Sequence, residues 1–252
     1  MSGMNPAEFA NIAKSEAEFW WYRGMRSIFF RVVGPHLARR RVRRALEAGC
    51  GTGYFSRLLQ QERGLPVIPI DLGWEGLRHA RSLGVERAVQ ADALRLPFAA
   101  GAFDVVLSLD VLPHFRPGEE QGAVDELARV LEPGGLLVIR TAALKVLRSR
   151  HSEFVFERQR YTRGQLVAMA RRAGIAVLRC TYANSLLMPV ALAKFRLWEP
   201  LTGQAPSSGV EPVAPWLDRL LYSALAREAA WLGAGRDLPL GQSLILIGEK
   251  RH

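Results

Sequence analysis

Residues 46–56 read LEAGCGTGYFS. A short apolar run carries Glu47, and glycines then follow at 49, 51 and 53 ahead of a helix-like segment. Glycines at alternate positions let a strand turn sharply into a helix with its backbone bare of side chains. A ligand can then lie directly against the main chain. The dinucleotide-binding version of this turn is G-x-G-x-x-G, with the last glycine three places after the second. Here that place is Tyr54, and the third glycine comes one residue early.

The next elements repeat the pattern of an apolar strand ending in a polar group. Residues 65–73, LPVIPIDLG, read as a second buried strand ending at Asp71, twenty residues after Gly51. A carboxylate at that place suits a ribose diol, because each oxygen accepts one hydroxyl proton. The plainer reading of Asp71 is a cap on the following helix. A third short strand leads into VQADALRLPF (89–98), which contains Asp92 and Ala93. A fourth, FDVVLSLDVLPHF (103–115), ends in a polar turn, where ligands bind at the carboxyl edge of a parallel sheet. LARVLEPGGLLVIR (127–140) reads as a helix, a Pro-Gly-Gly turn and a fifth strand.

Together these five elements resemble the class I S-adenosylmethionine (SAM) dependent methyltransferases, in the group acting on small molecules. The glycine turn is similar to their motif I, E/D-x-G-x-G-x-G. The fourth segment resembles F-D-x-V-x-x-x-x-V-L-E/H-H, departing from it at Pro113 and keeping His114. The resemblance implies an α/β, doubly wound Rossmann-like sheet of seven strands, order 3-2-1-4-5-7-6, with strand 7 antiparallel. It implies SAM as cofactor and S-adenosylhomocysteine as product. The cofactor-binding residues it points to are Glu47, Gly49, Cys50, Gly51, Gly53, Asp71, Leu72, Asp92, Ala93 and Leu109, with Asp92 and the Ala93 N–H meeting adenine.

Strands are expected near 44–48, 66–71, 86–90, 103–109 and 135–141, with helices near 53–63, 74–83 and 118–131. Such alternation implies a parallel sheet covered on both faces. RYTRGQLVAMARRAG (160–174) reads as a helix capped by Thr162 with Gln165 three residues on. Strands IAVLRCTYA and QSLILIGEK follow. The whole of 1–252 is read as one methyltransferase domain with two additions. An N-terminal helical segment, 1–40, runs helically from about 6 to 38 and carries Phe19, Trp20, Trp21 and Tyr22. It resembles an H-W-W-F-x-x-R-R segment of some family members and reads either as a packed amphipathic helix or as a lid. In the lid, Tyr22 and Arg26 would meet the methionine carboxylate of SAM. A cap insertion, 185–240, precedes the last strand. Its final piece has apolar residues at 217, 220, 221, 224, 225 and 232, a stripe that must be buried on something.

Lys plus Arg number 34 against 24 Asp plus Glu, a net charge of +10. The run RRRVRR (39–44) reads as a solvated helix end, or as a site for an anionic partner. No apolar run of roughly eighteen residues suggests a transmembrane helix; peripheral contact with a membrane surface stays open. The N-terminus is not read as a secretory signal, and two cysteines without metal spacing suit a reducing cytoplasm, with no metal expected. In methyl transfer, positioning can supply much of the acceleration, and a weakly acidic nucleophile also needs a base. His114, just after the fourth strand, is the candidate base, or else it shapes the pocket. His151 and Tyr161 are secondary candidates, while His36, His79 and His252 read as surface residues. The missing N/D-P-P-Y/F motif argues against DNA-base amines as acceptors. The expectation is a small-molecule acceptor, hydrophobic or a secondary metabolite, in a monomer or homodimer. The alternatives are an RNA or tRNA methyltransferase using the arginine surface, or a non-catalytic partner protein.

Overall fold

The computed structural model describes residues 3–203 and 205–251; His252 and parts of the expected N-terminal segment and insertion lie outside them. Seven strands form one sheet in the order β3-β2-β1-β4-β5-β7-β6. They are β1 Ala45–Ala48, β2 Val67–Asp71, β3 Val89–Gln90, β4 Phe103–Leu109, β5 Leu131–Ala142, β6 Ile175–Ala183 and β7 Ser243–Lys250. Strands β1 to β5 pair in parallel, and β7 runs antiparallel to both β5 and β6. Every residue of β1 is buried, as a central strand covered on both faces requires. Glu47 is therefore an anomaly: a carboxylic acid in the middle of an apolar strand.

The helices are α1 Pro6–Ser15, α2 Trp20–Ala38, α3 Tyr54–Arg57, α4 Trp74–Ser82, α5 Glu120–Val130, α6 Arg150–Phe154, α7 Arg163–Arg172, α8 Met188–Ala193, α9 Glu199–Thr202 and α10 Pro215–Gly233. The expected capping box of α7 is present, with the Thr162 hydroxyl accepting the Gln165 N–H. Three expectations shift. The N-terminal helical segment breaks at residues 16–19 into α1 and α2. The helix after the glycine turn has only four α residues before a π turn, Leu58–Glu62. The Pro-Gly-Gly turn lies inside β5 as an irregularity, since Phe103 pairs with Leu131 but Val105 pairs with Leu136.

Two apolar clusters cover the sheet. On one face, α5 and α7 supply Val124, Leu127 and Leu166. On the other, Met25, Ile28, Phe29 and Val32 of α2 pack with Leu225, Ala229 and Leu232 of α10. The apolar stripe of α10 is thus divided: its C-terminal half is core, whereas Leu217 and Leu221 line the cavity described below.

The arginine run is the solvated helix end expected, with Arg39, Arg41, Arg43 and Arg44 exposed just after α2, but two of its members are also paired. Arg43 pairs with Asp104 at 3.0 Å and with Glu132 at 3.0 Å. Arg40 pairs with Glu249 and donates to the Gly134 carbonyl at 2.6 Å. The N–H groups of Arg43 and Arg44 both donate to Asp104. These carboxylates hold the run against the amino ends of the strands. His36 and His79 are half-buried rather than fully exposed.

Candidate cofactor and acceptor site

At the carboxyl end of β1 the chain passes through three left-handed glycines, with φ of +80° at Gly49, +56° at Gly51 and +77° at Gly53. Each stands there for a different reason. A Cβ at Gly49 would come 2.1 Å from Val111 Cγ2, and one at Gly53 would come 2.4 Å from Ala80 Cβ on α4. A Cβ at Gly51 would meet nothing within 4 Å. Gly51 therefore presents bare backbone to open space, as a cradle for a ligand does.

Asp71 braces this turn. One carboxylate oxygen accepts the Gly51 N–H at 2.8 Å, and the other accepts the Gly73 N–H at 2.7 Å. Gly73, not Asp71, is the N-cap residue of α4, and that helix has no side-chain cap, so Asp71 ties two turns together rather than capping the helix. Lone pairs remain on both oxygens for further donors. Burial pushes the Asp71 carboxyl up against the pull of these N–H bonds.

Beyond the turn opens a cavity of about 1020 Å³, at the upper end of the roughly 300–1,000 Å³ usual for ligand pockets. Glu47, Gly49, Cys50, Gly51, Asp71, Leu72, Asp92, Ala93, Leu109, Tyr22, Arg26 and His114 all line it. Gly53 does not; its place in the motif is set by the close approach of Ala80. Asp92 accepts the Leu94 N–H at 2.9 Å, an Asx turn that fixes its side chain. Arg26 is already engaged: its guanidinium donates to the Glu16 and Ala17 carbonyls at the α1–α2 break, at 2.9 Å for Ala17. Burial pushes the Cys50 thiol well up, so Cys50 is an inert lining residue rather than a nucleophile.

The cofactor end is rich in buried acid. Burial pushes the Glu47 carboxyl up to about 8, against a hydrogen bond from the Ser56 hydroxyl and the Arg140 charge, with Asp71 and Glu16 adding repulsion. Glu16, hydrogen-bonded by the Thr52 hydroxyl, is pushed up to about 7, again chiefly by burial. Carboxyls that repel one another in a buried pocket favour a cationic ligand. Sequence reading passed over Glu16 and Thr52, and also Asp110 and Arg140. Asp110 sits at φ +60°, an uncommon place for a non-glycine residue. It pairs with Arg140 at 2.6 Å, and the Arg140 guanidinium lies 5.6 Å from the centre of the Trp21 ring. Asp110 was marked in the sequence only by its position at the carboxyl end of β4.

The far end of the cavity is assembled from distant segments. His114 ends a 3₁₀ turn, Leu112–His114. That turn is pinned from the other side by the Arg158 N–H to the Pro113 carbonyl at 2.7 Å and the Tyr161 hydroxyl to the Leu112 carbonyl at 3.0 Å. Tyr161 is thus a buried brace and does not line the cavity. Burial lowers the His114 pKa against the opposing Glu157 charge. His151 on α6 is likewise lowered by burial, against the Glu8 charge. The Nδ1 atoms of both histidines are buried without a hydrogen-bond partner among the described residues. Glu8 accepts from Asn11 and from Ser208, each at 3.0 Å, and so ties α1 to the insertion. Among the described residues no group of three or more His, Cys, Asp or Glu could hold a metal ion.

Residues 46–139 match the sequence profile of the family described as "Methyltransferase domain". A malonyl-[acyl-carrier protein] O-methyltransferase of Enterobacter lignolyticus is 39% identical over 108 residues, 42% of this chain and 42% of that protein. A probable tRNA methyltransferase 9B of Homo sapiens is 35% identical over 108 residues, 42% of this chain and 23% of that protein. The chain thus spans less than half the length of either relative. Among solved structures, one chain of the complex between the Haloferax volcanii Trm112 methyltransferase activator and a methyltransferase superposes with a TM-score of 0.60. It is 20% identical, covering 97% of this chain and 98% of that one.

Proposed function

We propose that this chain, whose residues 46–139 match the family described as "Methyltransferase domain", is a class I SAM-dependent methyltransferase that methylates an oxygen, nitrogen or carbon nucleophile of a small molecule with an apolar body. The carrying observation is that one cavity has two differently built ends. One is the glycine turn with Asp71, Asp92 and the buried acids. The other is closed by His114, His151 and the apolar insertion residues Val190, Leu217 and Leu221.

The residues at the cofactor end fit SAM. Gly51 leaves the space, Asp71 would hold the ribose hydroxyls, and Asp92 with the Ala93 N–H would meet the adenine edge. Glu47 and Glu16 favour its cationic groups, and Tyr22 and Leu109 would complete the wall. When bound, SAM supplies a methyl group on a positive sulfonium. The chain's own part is to fix the acceptor, exclude water and move a proton. His114 lines the cavity and burial lowers its pKa, and it is assigned as the group that accepts the proton of an acceptor hydroxyl or amine. Residues 1–40 act as a lid, joined to the site by Glu16–Thr52 and Trp21–Arg140. Residues 185–240 act as the cap in a single unit, 1–252, working in the cytoplasm.

Calorimetric titration with SAM, S-adenosylhomocysteine and NADH tests the cofactor. Binding of the first two alone is expected, and binding of NADH alone would reverse the reading. Transfer from methyl-labelled SAM, offered a panel of phenols and amines beside tRNA, tests the acceptor. The tRNA reading has the named human relative in its favour. Against it, none of Arg39–Arg44 lines the cavity.

A further inference from the structure

Residues 188–202, MPVALAKFRLWEPLT, run as α8, a π turn at Lys194–Trp198 and α9. The segment is mostly apolar, yet none of its fifteen residues is buried. Leu197 is 65% exposed, Leu201 84% and the neighbouring Leu186 53%, and none of the three lines the cavity, whereas the exposed Val190 and Trp198 do. An apolar helical segment with no buried residue has a partner outside its own fold.

The charges around it say which partner. The neighbouring stretch, residues 145–150, is joined to this segment by Arg196 Nε to the Val146 carbonyl at 2.8 Å and by the Arg150 N–H to Glu199 at 2.9 Å. Between them the two stretches carry exposed Lys145, Arg148 and Arg196 outside the cavity, with Arg150 and Lys194 lining it, against one acid, Glu199. That acid accepts the Arg150 N–H and is only half exposed. A second copy of the chain, meeting this face about a two-fold axis, would set like charges against like. An anionic lipid surface complements both features at once. Cations meet the headgroups, and leucine side chains enter the interface.

We propose that this face, residues 145–150 with 186–202, docks the protein on an anionic bilayer. The inner side of the same segment, through Val190, Phe195 and Trp198, lines the cavity. A tailed acceptor could therefore pass from leaflet to site without crossing water. The docking itself needs neither cofactor nor acceptor, so it stands or falls apart from the methyltransferase reading.

The test is co-sedimentation of the full chain with vesicles of phosphatidylcholine alone and of phosphatidylcholine mixed with phosphatidylglycerol. The expected result is partition onto the mixed vesicles, weakened by added salt and much weaker on the neutral ones. The double variant Leu197→Glu, Leu201→Glu changes two side chains that do not line the cavity. It should bind mixed vesicles at least about tenfold more weakly, with its SAM titration unchanged as proof of fold. Failure of the intact chain to sediment with mixed vesicles, or equal partition by the variant, would overturn the proposal. So would a concentration-dependent dimer that the double variant dissolves, which would give the face to a second copy.

Discussion

Two glycines two residues apart should respond in opposite ways to the same added methyl group. Gly51→Ala places a Cβ where nothing lies within 4 Å. Its structural cost is the left-handed φ alone, about 1–2 kcal/mol for a residue with a Cβ. In a chain of this size that corresponds to a fall in Tm of roughly 2–8 °C. Gly53→Ala carries the same φ cost, but its Cβ would sit 2.4 Å from Ala80 Cβ and 2.8 Å from Ala80 Cα. A clash with backbone cannot be relieved by a rotamer change, so overpacking adds about 1–3 kcal/mol. Cofactor affinity should order the two the other way. The Gly51 methyl projects into the space assigned to SAM and should weaken binding by at least about tenfold, which is about 1.4 kcal/mol. Gly53 faces α4 rather than the cavity, and protein that remains folded should bind SAM nearly normally. Thermal melts by circular dichroism and titration calorimetry on both variants measure the two quantities. Unchanged SAM affinity in Gly51→Ala would refute the cradle. Equal losses of stability in the two variants would refute the contact argument.

Asp71→Asn should weaken SAM binding by about 10–100-fold, the worth of hydrogen bonds to a charged acceptor, as read by the same titration; unchanged affinity would remove Asp71 from the ribose. Glu47 is held protonated by burial, with its pKa pushed up to about 8. A cationic ligand favours the ionised form, so SAM binding at pH 7 should release close to one proton, seen in buffers of different ionisation enthalpy. SAM affinity should then rise with pH until about 8 and level off above it. The same raised pKa works against the fold in alkali. The Glu47 contribution to stability is whole below the ordinary carboxylate range near 4.5 and lost as pH rises through about 8. His114→Ala should lower turnover by about 10²–10⁴-fold with SAM affinity unchanged. Because burial lowers the His114 pKa, the intact enzyme should lose rate only below about pH 6.5, and the variant should lack that acid limb.

The alternation of strands and helices was legible in the chain, the order of the sheet followed from the family resemblance, and the glycine and acid positions at the strand ends could be named as candidates. Strand periodicity, glycine turns and the acids at strand ends are local signals, and those of the cofactor end fall within residues 46–115. Glu47, Gly51, Asp71 and Asp92 could be named because each sits at a fixed offset from a strand end, and the parallel sheet brings all such ends to one edge. The closing of that edge was not legible. Glu8, Glu16 and Ser208 meet there with His151, itself named only as a secondary candidate base, from segments up to 200 residues apart, and nothing local marks the first three. Within the exposed arginine run, the ion pairs of Arg40 and Arg43 could not be foreseen because Asp104, Glu132 and Glu249 lie 60 to more than 200 residues away. The stripe on α10 announced that it would be buried but not against what, since helical period specifies a face and not its neighbour. Local sequence thus determined which residues would stand at the carboxyl edge of the sheet. Only the packing of α1, α2, α6 and the insertion decided how that edge is enclosed, because long-range burial depends on which surfaces the whole chain leaves open.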